Sequence, residues 1–536
     1  MNPHASTKCA GRLLVVLAAI ATILFAAGCG SSNSTTPTNP VGFSNSSLNG
    51  TYVFSSQGVD SYGYPVSMAG TLVANGTGGT GGITGGTIDI IDQGFSSAPS
   101  PAAQPITSGS YEVDTDGRGQ ASLTSTAYGT YVLDFVLTST SHGLVSEFDT
   151  NGTGSGTLDL QTAVASLSQL AAPYAFTVAG SDSNDGLFAI AGAFTLNASG
   201  VSTAGIEDFN EAGIVENESL TATATLGSGT GPGQIVLSSS SFPLTFDFYP
   251  IDATHWKLIE TDYAEFVAGD VFTQTGASIP TGAMAFTMEG GITVPIAVAG
   301  FMTDNGTNVT GSEDVNNDGN VVTGATFTGN AGAAGSVGGR VVVTLTGFNP
   351  ASTLVLYPSV GGTLLLEIDS ANVTVGAAYA QQSVTTGLSA ASQPFGFNLS
   401  AVNVSGGTGA FYEEDDIAQF TTNASNGFSG AVDINDDYGN GTYTLSSDLA
   451  LSGTYTLASP ASSGGSATTT AGGSAFVSFN FYPVSDSQFL VLETDSTQIG
   501  AGTFELQSPP SSALASRRAI SIVRPLARTH AALRHK

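Results

Sequence analysis

The sequence predicts an all-β chain of four tandem modules. Each has about eight antiparallel strands, closed into a meander barrel or, alternatively, folded as a two-sheet sandwich. Three observations carry this. One residue pattern recurs four times at fixed spacing. Glycine is abundant, at 69 of 536 residues, and falls with Ser, Thr, Asn and Asp between short apolar runs, the composition of strands joined by tight turns. No segment after residue 28 keeps a long helical period.

The repeat decides the domain organisation. Its most constant part is Glu-x-Asp, then Gly, then Gln. The copies are Glu147, Asp149, Gly156 and Gln161; Glu260, Asp262, Gly269 and Gln274; Glu367, Asp369, Gly376 and Gln381; and Glu493, Asp495, Gly502 and Gln507. Glu and Gln stand 14 residues apart in every copy. Other features recur around them in the same order. A Gly-x-x-Asp comes earlier in each copy, ending at Asp89, Asp208, Asp314 and Asp433. Phe248-Tyr249-Pro250, Leu356-Tyr357-Pro358 and Phe481-Tyr482-Pro483 precede the Glu in three copies, and the first has Phe135-Val136-Leu137 there. The modules are therefore 48–161, 170–274, 282–381 and 394–507. Short polar links favour sequential antiparallel pairing, and eight strands suffice to close a barrel and remove its edges.

Residues i and i+2 of a strand share a face. Glu260 and Asp262 are thus expected to point the same way near a strand end, one carboxylate accepting N–H groups of the turn. The functional alternative is an acidic ligand site in each module.

At the N-terminus, Lys8 and Arg12 precede the apolar run Leu13 to Ala27, which is short for a bilayer span and reads as an export signal. The run ends in Phe25-Ala26-Ala27-Gly28-Cys29, which resembles the lipobox of bacterial lipoproteins, with Ala26 where Leu is usual. The resemblance implies removal of residues 1–28, a diacylglycerol on the Cys29 thiol and an acylated new amine. The other cysteine, Cys9, falls inside the removed segment, so an exported chain would be left with no disulfide partner for Cys29. Several acyl chains anchor stably where one does not. Gly30, where an Asp often signals inner-membrane retention in that family, implies the outer membrane. Residues 29–47 are rich in Ser, Thr, Asn and Pro and read as a lipidated tether.

Charge is divided sharply along the chain. Between Asp60 and Glu505 lie all 42 acidic residues and only three basic ones, Arg118, Lys257 and Arg340, a net charge of −39. Such a surface repels nucleic acid. The tail, 508–536, holds Arg517, Arg518, Arg524, Arg528, Arg534 and Lys536 and no acid, and reads as a disordered extension, with contact with anionic envelope polymers or with the modules themselves as the functional alternative.

With its lipobox and its repeated Phe-Tyr-Pro and Glu-Thr-Asp segments, as in Phe481 to Asp495, the chain resembles uncharacterised lipobox-bearing repeat lipoproteins of acidobacterial type. The resemblance covers most of residues 29–507. It implies a periplasmic or surface location and carries no activity.

No catalytic residue is assigned. Only His142 and His255 lie within modules, in different copies and in no recognisable motif, so a His-based triad has little to build on. Zinc signatures are absent. Asp314, Asn316 and Asp318, with Gly319 after them, match the first half of a calcium loop, and Asp433, Asn435 and Asp437 repeat the spacing. Position twelve is Ala325, where an EF-hand needs Glu. The expected function is therefore non-catalytic: an envelope-anchored lipoprotein whose β-modules bind or build, with envelope polymers or glycans as candidate partners. The alternative is a secreted polysaccharide-acting enzyme using paired carboxylates. Against it, catalytic residues usually occur once, whereas this pair occurs in every copy.

Overall fold

The computed structural model describes residues 42–510 except 96–102, 183–185, 229–230, 242, 263, 277, 350–351, 386–387, 389, 391 and 405–411. Cys29, the export signal, most of the tether and the basic residues of the tail lie outside the described residues. Within them, the chain forms thirty-two strands in four closed eight-stranded barrels, with no helix beyond short 3-10 turns. Barrel 1 spans residues 49–160, barrel 2 173–273, barrel 3 282–380 and barrel 4 394–506. Each is an up-and-down meander whose last strand pairs antiparallel with its first, so no strand crosses between modules. Of the two predicted architectures the barrel is the one observed.

The repeated Gly marks the closing seam. Gly156, Gly269, Gly376 and Gly502 all sit where the last strand pairs with the first. A Cβ at these four positions would lie 1.7, 2.0, 1.9 and 2.1 Å from the carbonyl oxygens of Ser55, Thr177, Thr287 and Asn398. Only a residue without Cβ lets the strands approach this closely.

Each barrel has its own apolar interior; in barrel 2 this includes Phe176, Phe188, Ile190, Phe248 and Trp256. The strands differ in what covers their outer faces. In the middle of barrel 2, the second half of strand Ile214–Thr225 alternates, with Leu220, Ala222 and Ala224 buried and the residues between them exposed, the pattern of a strand with one face in water. Leu187–Thr195 and His255–Glu260 are buried on both faces. The reason is a second level of packing. Ala189, Ala191 and Ala193 point out of barrel 2 and meet Leu364 and Leu366 of barrel 3, their small size letting the two sheets come close. The first three strands of each barrel pack against the last three of the next. Barrel 4 packs in the same way on barrel 1, where Ile417 meets Val136 and Leu144. The four barrels therefore close a ring within one compact unit.

Candidate functional site

The repeated polar residues converge on the four seams of this ring. Tyr357 of barrel 3 donates its hydroxyl to Asp208 of barrel 2 at 2.5 Å. Tyr249 does the same to Asp89 across the first seam, and Tyr482 to Asp314 across the third. The Gly-x-x-Asp and Phe-Tyr-Pro segments are thus two halves of one lock, formed between neighbouring modules. Burial first, and then the facing Asp89 carboxylate, push the Tyr249 phenol well above its ordinary value, so it stays a donor.

The last seam differs. Val136 stands where the other copies have Tyr, and Asp433 instead faces the guanidinium of Arg118 at 3.6 Å. Arg118 also pairs with Asp116 at 3.1 Å and with Asp448 at 2.7 Å. Arg340 adds a cation to the second lock, reaching Asp208 at 2.5 Å.

Two residues beyond the lock Asp, an Asn plugs into the Glu-x-Asp turn of the next barrel. Asn210 donates to the carbonyls of Glu367, Asp369 and Asn372 at 3.0, 3.2 and 2.8 Å. Asn316 reaches Glu493, Asp495 and Gln498 at 3.1, 3.1 and 2.8 Å. Asn435 reaches Glu147 and Gly152, both at 2.9 Å. Barrel 1 has Ile91 at this place, packed on Ile259 and Phe266.

These contacts place most of the residues that match a calcium loop. Asp314 and Asn316 lie on the extended strand Asn308–Asn317, side by side on its outer face, with Asp314 also accepting from Asn480 at 2.7 Å. Asp318 is exposed in the following turn. Asp433 and Asn435 hold the same seam positions, and Asp437 accepts the Gly439 N–H at 2.6 Å.

The Glu-x-Asp pair shapes the turn that receives the Asn. Glu260 accepts the N–H groups of Asp262 and Ala264 at 2.9 and 3.2 Å, and Glu367 accepts from Asn372 and the Thr374 hydroxyl at 3.0 and 2.7 Å. The Asp reaches back to the sixth strand: Asp149 accepts from Val132, Asp262 from Thr245 and Asp369 from Thr353. Asp495 caps its own turn through Thr497 and Gln498. The Gln extends each closing strand onto the next barrel. Gln161 donates to Pro250 at 2.8 Å and Gln274 to Gly338 at 2.5 Å. Gln381 reaches Pro483 at 2.9 Å and Gln507 reaches Leu137 at 2.8 Å.

A second polar group lies where the seventh and eighth strands of the barrels meet. His142 and His255 occupy the same repeat position, the first residue of the seventh strand, five before the Glu; Gly362 and Gln488 are its other copies. His142 bonds Asp159 through Nδ1 at 2.9 Å and faces Glu505 of barrel 4 through Nε2 at 3.3 Å. His255 bonds Asp270 through Nε2 at 2.7 Å, and Lys257 pairs with the same carboxylate at 2.9 Å. All are almost fully buried. Burial alone would push the His142 imidazole down, but Glu505 and Asp159 outweigh it and hold it up at about 10. At His255 burial prevails and the value falls, so the ring is neutral. Sequence reading missed this shared position, although counting back from the Glu would have shown it.

These groups predict how stability changes with pH. The His142 contribution is fully present below its ordinary 6.5 and is lost as pH rises through about 10. Several buried carboxyls act in the same direction and outnumber His255, whose lowered value acts against them, while the lowered Asp159 and Asp270 act only below their ordinary 3.8. Burial, chiefly, raises Glu260 to about 10 and Glu313 and Glu367 to about 8, so the folded state holds protons that the unfolded state gives up above pH 4.5. The melting temperature should therefore fall between pH 5 and pH 9. Scanning calorimetry across that range checks it, and a melting temperature that rises with pH would show that these groups are not proton-bound in the fold.

No family model matches the chain, and no curated protein matches it. Among solved structures, one described as a DNA polymerase III beta subunit from Eubacterium rectale is similar at 9% identity over 65% of this chain and 94% of that one. The TM-score is 0.11, and the match carries no argument. The fold and the seams define the class: a β-repeat protein of four barrels.

Proposed function

We propose that the chain is an envelope-anchored, non-catalytic lipoprotein that presents a ring of β-barrels for binding or structural roles. The observation that supports this most is the use made of the repeated chemistry. The repeat's Asp, Asn, Tyr and Gln, and Glu260 and Glu367 among its Glu residues, are engaged in hydrogen bonds that shape turns and join barrels, which is architectural use rather than a set of groups waiting for a substrate. The anchor rests on the lipobox residues ending at Cys29. Replacing Cys29→Ser should move the protein from the membrane fraction to the soluble fraction. Retention of the variant in the detergent phase, or an unmodified N-terminus on the wild type by mass spectrometry, would overturn the anchor. Hydrolysis of any polysaccharide by the purified chain would overturn the non-catalytic reading.

A further inference from the structure

Barrels 1, 2, 3 and 4 follow one another in sequence, so the joint of barrel 4 with barrel 1 is the one that no linking segment bridges. One end of this joint carries an exposed aromatic patch. Tyr62, in the first turn of barrel 1, is 61% exposed, and Tyr443, at the third turn of barrel 4, is 42% exposed. The two turns are joined: the Gly441 N–H donates to the Ser61 carbonyl at 2.7 Å, and the Tyr62 ring lies over Gly441. Tyr64 and Tyr438 of the same turns are half-buried, and the Tyr412 ring lies 5.2 Å from that of Tyr438. Carboxylates stand behind the rings. Asp60 accepts the Tyr62 and Tyr64 N–H groups at 2.9 and 2.7 Å, and Asp437 accepts that of Gly439 at 2.6 Å. The three basic residues between Asp60 and Glu505 are held elsewhere, Arg118 by Asp116, Asp433 and Asp448, Lys257 by Asp270 and Arg340 by Asp208. At the third turns of barrels 2 and 3 the exposed residues are aliphatic, Ile214 and Val322.

We propose that this tyrosine patch is the docking surface of the chain's own basic tail, which thereby straps barrel 4 to barrel 1. The inference stands apart from the lipid anchor. The tail leaves from the same joint: Gln507 donates to the carbonyls of Asp116 and Leu137 at 2.7 and 2.8 Å, and the Ser508 N–H donates to that of Thr138 at 2.7 Å. In a meander of eight strands the chain enters and leaves at one end, and the first and third turns lie at the other. The tyrosines are therefore about one strand length from Gln507. The third strand of barrel 4, Gly427–Asp437, has 11 residues and is about 36 Å long. Residues 508–516 carry no charge, and the ten residues from Gln507 to Arg517 span about 33–36 Å when extended. Arg517 and Arg518 thus reach the patch. Guanidinium groups stack on tyrosine faces, and the carboxylates behind add attraction. Six basic residues and no acid in the tail complement a body of net charge −39. A membrane or an envelope polymer has to compete with a surface that the tail meets at high effective concentration.

The test titrates a synthetic peptide of residues 511–536 into two soluble chains, 30–510, which keeps all four barrels whole, and 30–536. Calorimetry at low salt should show one site on the shorter chain and little binding to the longer one, whose own tail fills the surface. The double change Tyr62→Ala and Tyr443→Ala, at exposed positions, should weaken the peptide about tenfold, whereas Ile214→Ala should leave it unchanged. Hydrogen exchange around Gly441 should be several-fold slower in 30–536 than in 30–510, and about 0.5 M salt should erase the difference. Absence of binding, equal binding to both chains, or affinity indifferent to the two tyrosines would overturn the proposal. So would sedimentation of 30–536 with phosphatidylglycerol vesicles as complete as that of the free peptide, which would place the tail on the membrane instead. None of these results bears on lipidation of Cys29, because both chains begin after it.

Discussion

Replacing Gly269→Val is expected to prevent barrel 2 from closing. The new Cβ would sit 2.0 Å from the Thr177 carbonyl oxygen and 2.9 Å from the Val178 Cα, both backbone atoms of the first strand. Neither can turn aside as a side chain could. The strands must part along the pairing Phe266 to Thr273 with Ser181 to Tyr174, which opens the barrel at its seam. The loss should be at least about 4 kcal/mol, the range of severe backbone and core defects. Circular dichroism melts of the full chain, with limited proteolysis to locate the opening, measure it. A melt within about 1 kcal/mol of the parent would mean that the seam tolerates a side chain and that the repeated Gly has another cause.

The second large effect is expected at the joint between barrels 4 and 1. Arg118→Ala removes the cation that faces Asp433, Asp116 and Asp448, leaving Asp433 buried beside other acids without its counter-charge. Breaking a buried pair from one side costs about 3–5 kcal/mol, and the partial exposure of Arg118 places this case at about 3. The loss should be local. Hydrogen exchange should quicken first around the Glu147 to Gly152 turn, which Asn435 grips, while the turn held by Asn210 keeps its protection. Arg118→Lys should restore part of the loss. Equal loss of protection at all four seams would sink the idea that the joint is a separable unit.

The four-fold strand pattern was legible because its causes are local. Turn residues and apolar runs announce strands, and the fixed spacing from Glu147 to Gln161, repeated three more times, announces copies. The ring was not legible, because each lock joins residues of different copies: Asp208 and Tyr357 are 149 positions apart, and nothing near either one names the other. The sequence did hold a clue, since the one copy lacking the Tyr, with Val136 in its place, receives Asp433, whose partner is Arg118. The calcium-like spacing also has a use in the fold. Asp314 and Asn316 share a face because they lie on a strand, and that face looks onto barrel 4, so oxygen-rich alternation served an interface.

The way the barrels join has a consequence for assembly. Every joint is heterologous: one surface of a barrel, its first three strands, meets a different surface, the last three strands, of its neighbour. Head-to-tail contacts of that kind give an open filament unless the rotation between units closes, and here it closes at four. The chain is therefore equivalent to a cyclic homotetramer whose subunits have been fused in tandem. A single idealised barrel carrying the Asp, Asn, Tyr and Gln of the locks would hold both complementary surfaces and should assemble by itself into a C4 tetramer.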